Sequence, residues 1–153
     1  MNYLHMHLHM HLQMTKGKYL GIDFGDRRVG IAVSDFNKEI AFPRDFLEYE
    51  DISELINEIR NICEIDQIVK IILGLPINMD GSFGERALKT MDFHGKLKES
   101  VKNISVEYFD ERLSTEYAVK ALHAQGIKAK SQKGKRDSLS AQIVLQNYLN
   151  SLK

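Results

Sequence analysis

Tyr19-Leu20-Gly21-Ile22-Asp23-Phe24-Gly25 runs directly into Asp26-Arg27-Arg28 and then Val29-Gly30-Ile31-Ala32-Val33. These are two apolar stretches joined too tightly for anything but a hairpin, with Gly25 and Asp26 supplying the turn. The two strands are therefore expected to be antiparallel. One carboxylate interrupts the first of them. Burying a carboxylate costs several kcal/mol unless a cation or hydrogen-bond donors compensate it, so a buried strand keeps one only with a partner such as a metal ion. Asp23 is accordingly the first candidate functional residue.

Outward from this hairpin, a third extended stretch from about Glu39 to Leu47 completes a meander, and Pro43 makes it an edge or bulged strand. Ile52, Leu55, Ile56, Ile59, Ile62 and Cys63 then recur at helical spacing behind Asp51, an N-cap with Glu54 three residues on. The helix crosses over to Ile68-Val69-Lys70-Ile71-Ile72-Leu73, whose nearly continuous apolar run fits a central parallel strand covered on both faces. A second helix is predicted from roughly Gly84 to Val101, a strand from Ser105 to Phe109, a third helix from Ser114, and a last helix from about Asp137 to Leu152. The pattern predicts an α/β fold: a mixed five-stranded sheet, three strands of antiparallel meander plus two parallel strands, flanked by helices.

The 153 residues, 43% of them hydrophobic, suffice for one well-filled domain over residues 14–153. Residues 1–13 stand apart, because His5, His7, His9 and His11 alternate with Met6, Leu8, Met10 and Leu12. They are read as a tag or upstream-start extension, with Met14 as the natural start. Basic and acidic side chains balance at 21 each, so net charge alone argues against a chain that coats itself in nucleic acid or anionic lipid. Cys63 is the sole cysteine, which excludes a disulfide framework or thiolate metal site and fits a buried thiol in a reducing cytoplasm. No stretch approaches the roughly 18 apolar residues of a membrane span.

Four constellations carry chemistry. The loop from Gly74-Leu75-Pro76 to Gly84 follows the C-terminal end of the central strand and opens a helix, the place where open α/β sheets bind ligands, although the same glycines suit an ordinary turn. Asp110-Glu111-Arg112 lies just past the fifth strand, either at the sheet edge that carries Asp23 or as a solvated corner pairing with Arg112. No acid occurs between Glu116 and Asp137, while Lys120, Lys128, Lys130, Lys133, Lys135 and Arg136 all do, which makes a local phosphate-binding surface or a merely solvated loop. Asp137 itself opens the run Leu139, Ile143, Val144, Leu149, as helix N-cap or as a reactive carboxylate beside a polyanion. Asp23, Glu111 and Asp137 together form an all-oxygen donor set suited to Mg²⁺ or Mn²⁺. Two such ions about 4 Å apart could drive in-line attack on a phosphodiester. His94 and His123 sit within helical patterns without an evident partner.

In order and spacing, several of these segments resemble the YqgF/RuvX family, described as Holliday junction resolvases and as pre-16S ribosomal RNA nucleases. The carriers are Leu20 to Gly25 with Arg28, Val29 to Asp35, Gly74-Leu75-Pro76 with Met79-Asp80-Gly81-Ser82, Asp110 to Thr115, and Asp137. The resemblance runs from about Tyr19 to Leu149. It implies a ribonuclease H-like fold and an acidic nuclease site on Asp23, Glu111 and Asp137, with Asp110 as the alternative to Glu111. Ser140-Ala141 stands where the family tends to have two alanines, a change that preserves close helix packing. Arg28 joins Lys128, Lys130, Lys133, Lys135 and Arg136 as expected nucleic-acid contacts.

Under that resemblance the expected function is 5′-end processing of pre-16S ribosomal RNA by a cytoplasmic monomer or weak dimer, with the ribosomal small subunit as a possible partner. Junction resolution on branched DNA is the alternative. A resolvase cuts two strands symmetrically and should be a two-fold dimer, whereas trimming an RNA precursor needs one active site. Two other classes compete. A non-catalytic RNA-binding module would keep salt-sensitive binding without cleavage, and an ATP-binding domain of the actin and sugar-kinase kind would need a second domain that 153 residues cannot supply.

Overall fold

A computed structural model of the chain describes residues 16–124 and 138–153. The segment 1–13, the cationic stretch read as a loop from Gly126 to Arg136, and Asp137 after it lie outside the described residues.

Strands β1 (Lys18–Phe24), β2 (Arg28–Ser34), β3 (Ala41–Glu48), β4 (Ile68–Leu75) and β5 (Ser105–Asp110) form one sheet in the order β3-β2-β1-β4-β5. β1 pairs antiparallel with β2 and β2 with β3, whereas β4 runs parallel to β1 and β5 to β4. The expected mixed sheet is therefore present. β3 lies at an edge, as Pro43 requires, and its register against β2 slips between Val29 and Ile31.

Four α-helices are described: α1 (Ile52–Ile65), α2 (Glu85–Ser100), α3 (Tyr117–Ala124) and α4 (Leu139–Ser151). Asp51 caps α1, its carboxylate accepting the Ser53 N–H at 2.9 Å. Leu55 and Ile59 of α1 and Phe93 and Leu97 of α2 bury one sheet face with Leu20, Ile22, Ile71 and Leu73. The opposite face, through Ala32, Ile72 and Phe109, packs on Ala141, Val144, Leu145 and Leu149 of α4. β4 thus sends alternate side chains into two cores, which explains its unbroken apolar run.

α4 lies unusually close to the sheet. A Cβ built on Gly21 would stand 2.7 Å from Leu145 Cβ and 3.1 Å from the Ala141 carbonyl oxygen, so no larger residue fits there without moving the helix. Two buried glutamines fix its far side: Ala41 N–H donates to Gln146 Oε1 at 2.8 Å, and Gln142 Nε2 donates to the Ala41 carbonyl at 3.1 Å. The start of β3 is thereby tied to α4 with its polar groups satisfied.

Two helix starts differ from the sequence expectation. A 3₁₀ turn, Glu111–Leu113, intervenes after β5, so α3 begins at Tyr117 and not Ser114. The cap position of α4 belongs to Ser138, one residue after Asp137, and Leu139 is 48% exposed instead of facing the core. Periodicity misplaced Leu139 because the buried stripe of α4 includes Gln142 and Gln146, which hydropathy assigns to solvent.

Candidate active site

Asp23 lies near the C-terminal end of β1, and Glu111 is the first residue of the 3₁₀ turn after β5. Their strands are not neighbours, because β4 runs between them. Glu111 crosses β4 over Gly74, where an added Cβ would stand 2.8 Å from Glu111 Oε1 and 3.1 Å from Val144 Cγ2. Only a residue without a side chain leaves that lane open. The carboxyl of Glu111 consequently meets that of Asp23, and in its protonated form donates a hydrogen bond to it.

Two converging carboxyls cannot both ionise cheaply in a partly buried place. Burial, then the Asp23 charge and the shared hydrogen bond, push Glu111 up to about 7, with Arg86 opposing and Asp110 adding to the rise. Asp23 is also raised, chiefly by burial, while the Glu111 hydrogen bond and the Arg86 charge pull it back. The pair shares a proton, and its titration belongs to both groups jointly.

Asp110 takes no part in this pair. Its carboxylate is gripped by Arg112, with Nη2 to Oδ2 at 2.7 Å and Nε at 3.1 Å from both oxygens, and it accepts the Arg112 backbone N–H at 3.0 Å. Those donors hold the Asp110 carboxyl below the usual carboxylate range. The solvated corner weighed for Asp110 and Glu111 describes Asp110 alone. Among the described residues no third metal-ligating side chain joins Asp23 and Glu111. Asp137 lies outside them, but its neighbour Ser138 is 4% exposed, with its Cβ 3.5 Å from the Cβ position of Gly30, where the Cβ of Asp23 also lies at 3.5 Å. The Ser138 hydroxyl is buried with no partner among the described residues. The small residues Gly21 and Gly30 thus allow the α4 N-terminus to settle beside Asp23.

Beside the pair opens a cleft of about 510 Å³ lined by Pro76, Asn78, Gly84, Arg86, Glu111 and Arg112, among others. Its rim is the glycine-containing loop, which closes on itself: the Ser82 N–H and hydroxyl donate to Asp80 at 2.9 and 2.6 Å, the Asn78 N–H donates to the Ser82 carbonyl, and Gly81 adopts φ +88°. The Ser82 donors hold Asp80 below its ordinary value. This is a self-contained turn forming one wall of a cleft.

Other sequence candidates fall elsewhere. Arg28 stacks over the Phe46 ring at 4.8 Å and lines a separate cleft with Asp26, Glu48 and Tyr49. Lys128, Lys130, Lys133, Lys135 and Arg136 lie outside the described residues. His94, expected to lack a partner, has two: Nε2 sits 3.0 Å from the Val106 carbonyl, and the ring stacks on Tyr108 at 4.2 Å. Cys63 is buried, with burial and the Asp66 charge pushing its thiol up to about 11, so it is not a nucleophile. Sequence reasoning missed Gly74 as the opening for Glu111 and passed over Arg86 entirely, although it directly follows Gly84-Glu85 at the end of the loop already singled out.

The Asp23–Glu111 pair fits a divalent cation. Two oxygen donors that hold a proton between them present the same oxygens to Mg²⁺ or Mn²⁺ once that proton leaves, and among the described residues no group of three or more histidine, cysteine or acidic ligands gathers elsewhere.

A mixed sheet of this order, carrying an acidic pair between the C-terminal end of β1 and the turn that follows the edge strand β5, has a ribonuclease H-like fold. The chain belongs to the RuvX family, whose model, described as Holliday junction resolvase, matches residues 17–151. A Halothermothrix orenii relative with the provisional name pre-16S rRNA nuclease is 38% identical over 133 residues, covering 87% of this chain and 94% of its own length. A Staphylococcus epidermidis relative of the same provisional name is 37% identical over 148 residues, covering 91% and 99%. Among solved structures, Thermus thermophilus RuvC in complex with Holliday junction substrate superposes with a TM-score of 0.59 at 13% identity, covering 90% of this chain and 97% of that one. The yeast mitochondrial Holliday junction resolvase gives 0.55 at 12% identity, covering 88% and 78%. These two likenesses establish the fold.

Proposed function

We propose that this chain is a metal-dependent nuclease that hydrolyses phosphodiester bonds in the 5′-end processing of pre-16S ribosomal RNA. The observation that carries the proposal is the Asp23–Glu111 carboxyl pair meeting across Gly74, two acids whose proton is held up to about pH 7. Such a pair is poorly suited to a structural role, since it opposes folding wherever both groups ionise. It suits a site that exchanges a proton for a divalent cation. The curated relatives named for pre-16S rRNA support the choice of substrate.

In this mechanism Asp23 and Glu111 would hold the cation, and Asp137, the residue before Ser138 in the sequence, would supply a further oxygen. Gly74 keeps the space between the first two clear. When bound, Mg²⁺ or Mn²⁺ supplies an activated water and neutralises charge at the phosphodiester. Lys128, Lys130, Lys133, Lys135 and Arg136 are assigned to the substrate backbone. Asp137→Asn should leave thermal stability unchanged, because Ser138 holds the α4 cap position, while abolishing cleavage. Loss of stability with cleavage intact would remove Asp137 from the site.

Resolution of branched DNA is the second candidate, favoured by the description of the family model. The deciding experiment is Mg²⁺- or Mn²⁺-dependent cleavage of end-labelled precursor 16S RNA and of a four-way DNA junction side by side, with Asp23→Asn as control. Cleavage of the RNA alone, lost in the control, is expected. Paired nicks in the junction would make the protein a resolvase, and cleavage of neither would favour a binding role.

A further inference from the structure

We infer that Arg86 is the phosphate anchor of this site, the cation that seats the substrate's phosphodiester in the cleft beside Asp23 and Glu111. The inference rests on the nuclease function proposed above and names a residue it did not include.

A phosphodiester approaching two carboxylates meets like charge, so it needs a cation on the open side of the cleft, in addition to whatever cation the carboxylates themselves hold. Two cationic side chains line that opening, Arg86 and Arg112, and Lys89 lies one turn further along α2. Arg112 is committed to Asp110 through a two-pronged ion pair. Lys89 is committed to Asp26 and Glu85, each at 3.2 Å. Arg86 remains: it sits in the first turn of α2, is exposed, lines the same cleft as Glu111, and among the described residues has no carboxylate within ion-pair distance. Arg86 thus shares with Glu111 the cleft that a phosphodiester would enter.

The local fold fixes the backbone from which it projects. Ala87 and Thr90 turn inward from α2 and are buried, and the Thr90 hydroxyl donates to the Arg86 carbonyl at 2.8 Å, fixing the first turn. The self-closed loop of Asn78 to Ser82 forms the facing wall. A planar guanidinium with parallel N–H donors matches two oxygens of one phosphate, which an ammonium does not.

The test is the binding of an uncleaved single-stranded RNA from the 5′ precursor region by the full chain in the Asp23→Asn background, with Arg86 intact or replaced by Gln or Lys, titrated over a range of salt. Each phosphate neutralised on a single strand contributes about 0.7 to the slope of log K against log salt. Arg86→Gln is expected to lower that slope by about 0.7 and to weaken binding at low salt, while Arg86→Lys keeps the slope but not the full affinity. In the active background, Arg86→Lys should raise KM and lower kcat together. Equal slopes and affinities for Arg and Gln would overturn the role of Arg86 while leaving the nuclease function standing. Failure of the Asp23→Asn protein with Arg86 intact to bind RNA at any salt would overturn both.

Discussion

Glu111 is a carboxylic acid that reaches about 7 because burial and Asp23 both disfavour its charge. Asp23 is likewise above its ordinary value of 3.8, so from the ordinary carboxylate range up to about 7 the folded chain holds more protons than the unfolded one. For raised acids the contribution to stability is complete below the unfolded pKa and is lost as pH rises through the folded one. The metal-free protein should therefore melt at a lower temperature at about pH 8 than at about pH 5. Asp23→Asn removes the charge facing Glu111, and its carboxyl should titrate closer to the ordinary range by carbon-13 NMR, with a flatter dependence of melting on pH. An unchanged Glu111 midpoint would mean that burial alone sets it. Mg²⁺ should raise the melting temperature more at the higher pH, where it no longer competes with the proton. At this scale Asp23 was legible, because one acid in an apolar strand is conspicuous. Glu111 could not be separated from Asp110 until the backbone showed which of them faces inward, and the structure puts Asp110 on Arg112.

Elements are placed here by what is missing from them. Gly21 on β1 and Gly74 on β4 both face α4, yet the same substitution should act differently at each. At Gly74 a methyl group meets the end of the Glu111 side chain, which can swing aside, so Gly74→Ala should cost only about 1 kcal/mol. Moving Glu111 off Asp23 should nevertheless lower cleavage by about tenfold or more. At Gly21 the methyl meets Leu145 Cβ and the Ala141 carbonyl, which move only with the helix, so Gly21→Ala should destabilise by about 1–3 kcal/mol. Thermal melts paired with cleavage rates separate the two, and a Gly74→Ala protein with full activity would show that the Glu111 lane has room to spare. The order and kind of these elements were legible from periodicity, and so was the Asp51 cap. The glycine face was not, because a glycine in a strand reads locally as a turn or bulge, and its purpose appears only when three strands and a helix are assembled. The 3₁₀ turn before α3 and the start of α4 escaped for a related reason: both are set by where Glu111 and Ser138 must sit against the sheet.

Over the whole molecule, alternating strand and helix signals with one tight hairpin specified a mixed sheet, and the resemblance to the YqgF/RuvX family implied its ribonuclease H-like arrangement. Net charge was the least informative property, since the 21 acids and 21 bases cancel in sum while being unevenly distributed. Among the described residues no helix is long and apolar enough to cross a membrane. If Lys128, Lys130, Lys133, Lys135 and Arg136 carry the substrate backbone, their contribution is electrostatic and should be lost with salt while the fold is untouched. Replacing all five with serine or glutamine should leave the melting temperature within about 1 °C, since lysine and arginine are rarely core residues and substitutions outside a core change stability little. The slope of log K against log salt for single-stranded RNA should fall by up to about 3.5, at about 0.7 per phosphate released. Cleavage at saturating RNA should survive, because Asp23 and Glu111 are positioned by the sheet and by Gly74, not by the loop. An unchanged slope would show that the five cations are only solvated and would move backbone binding to the Arg86 cleft. A lost kcat at saturation would show instead that the loop also positions the reacting phosphate.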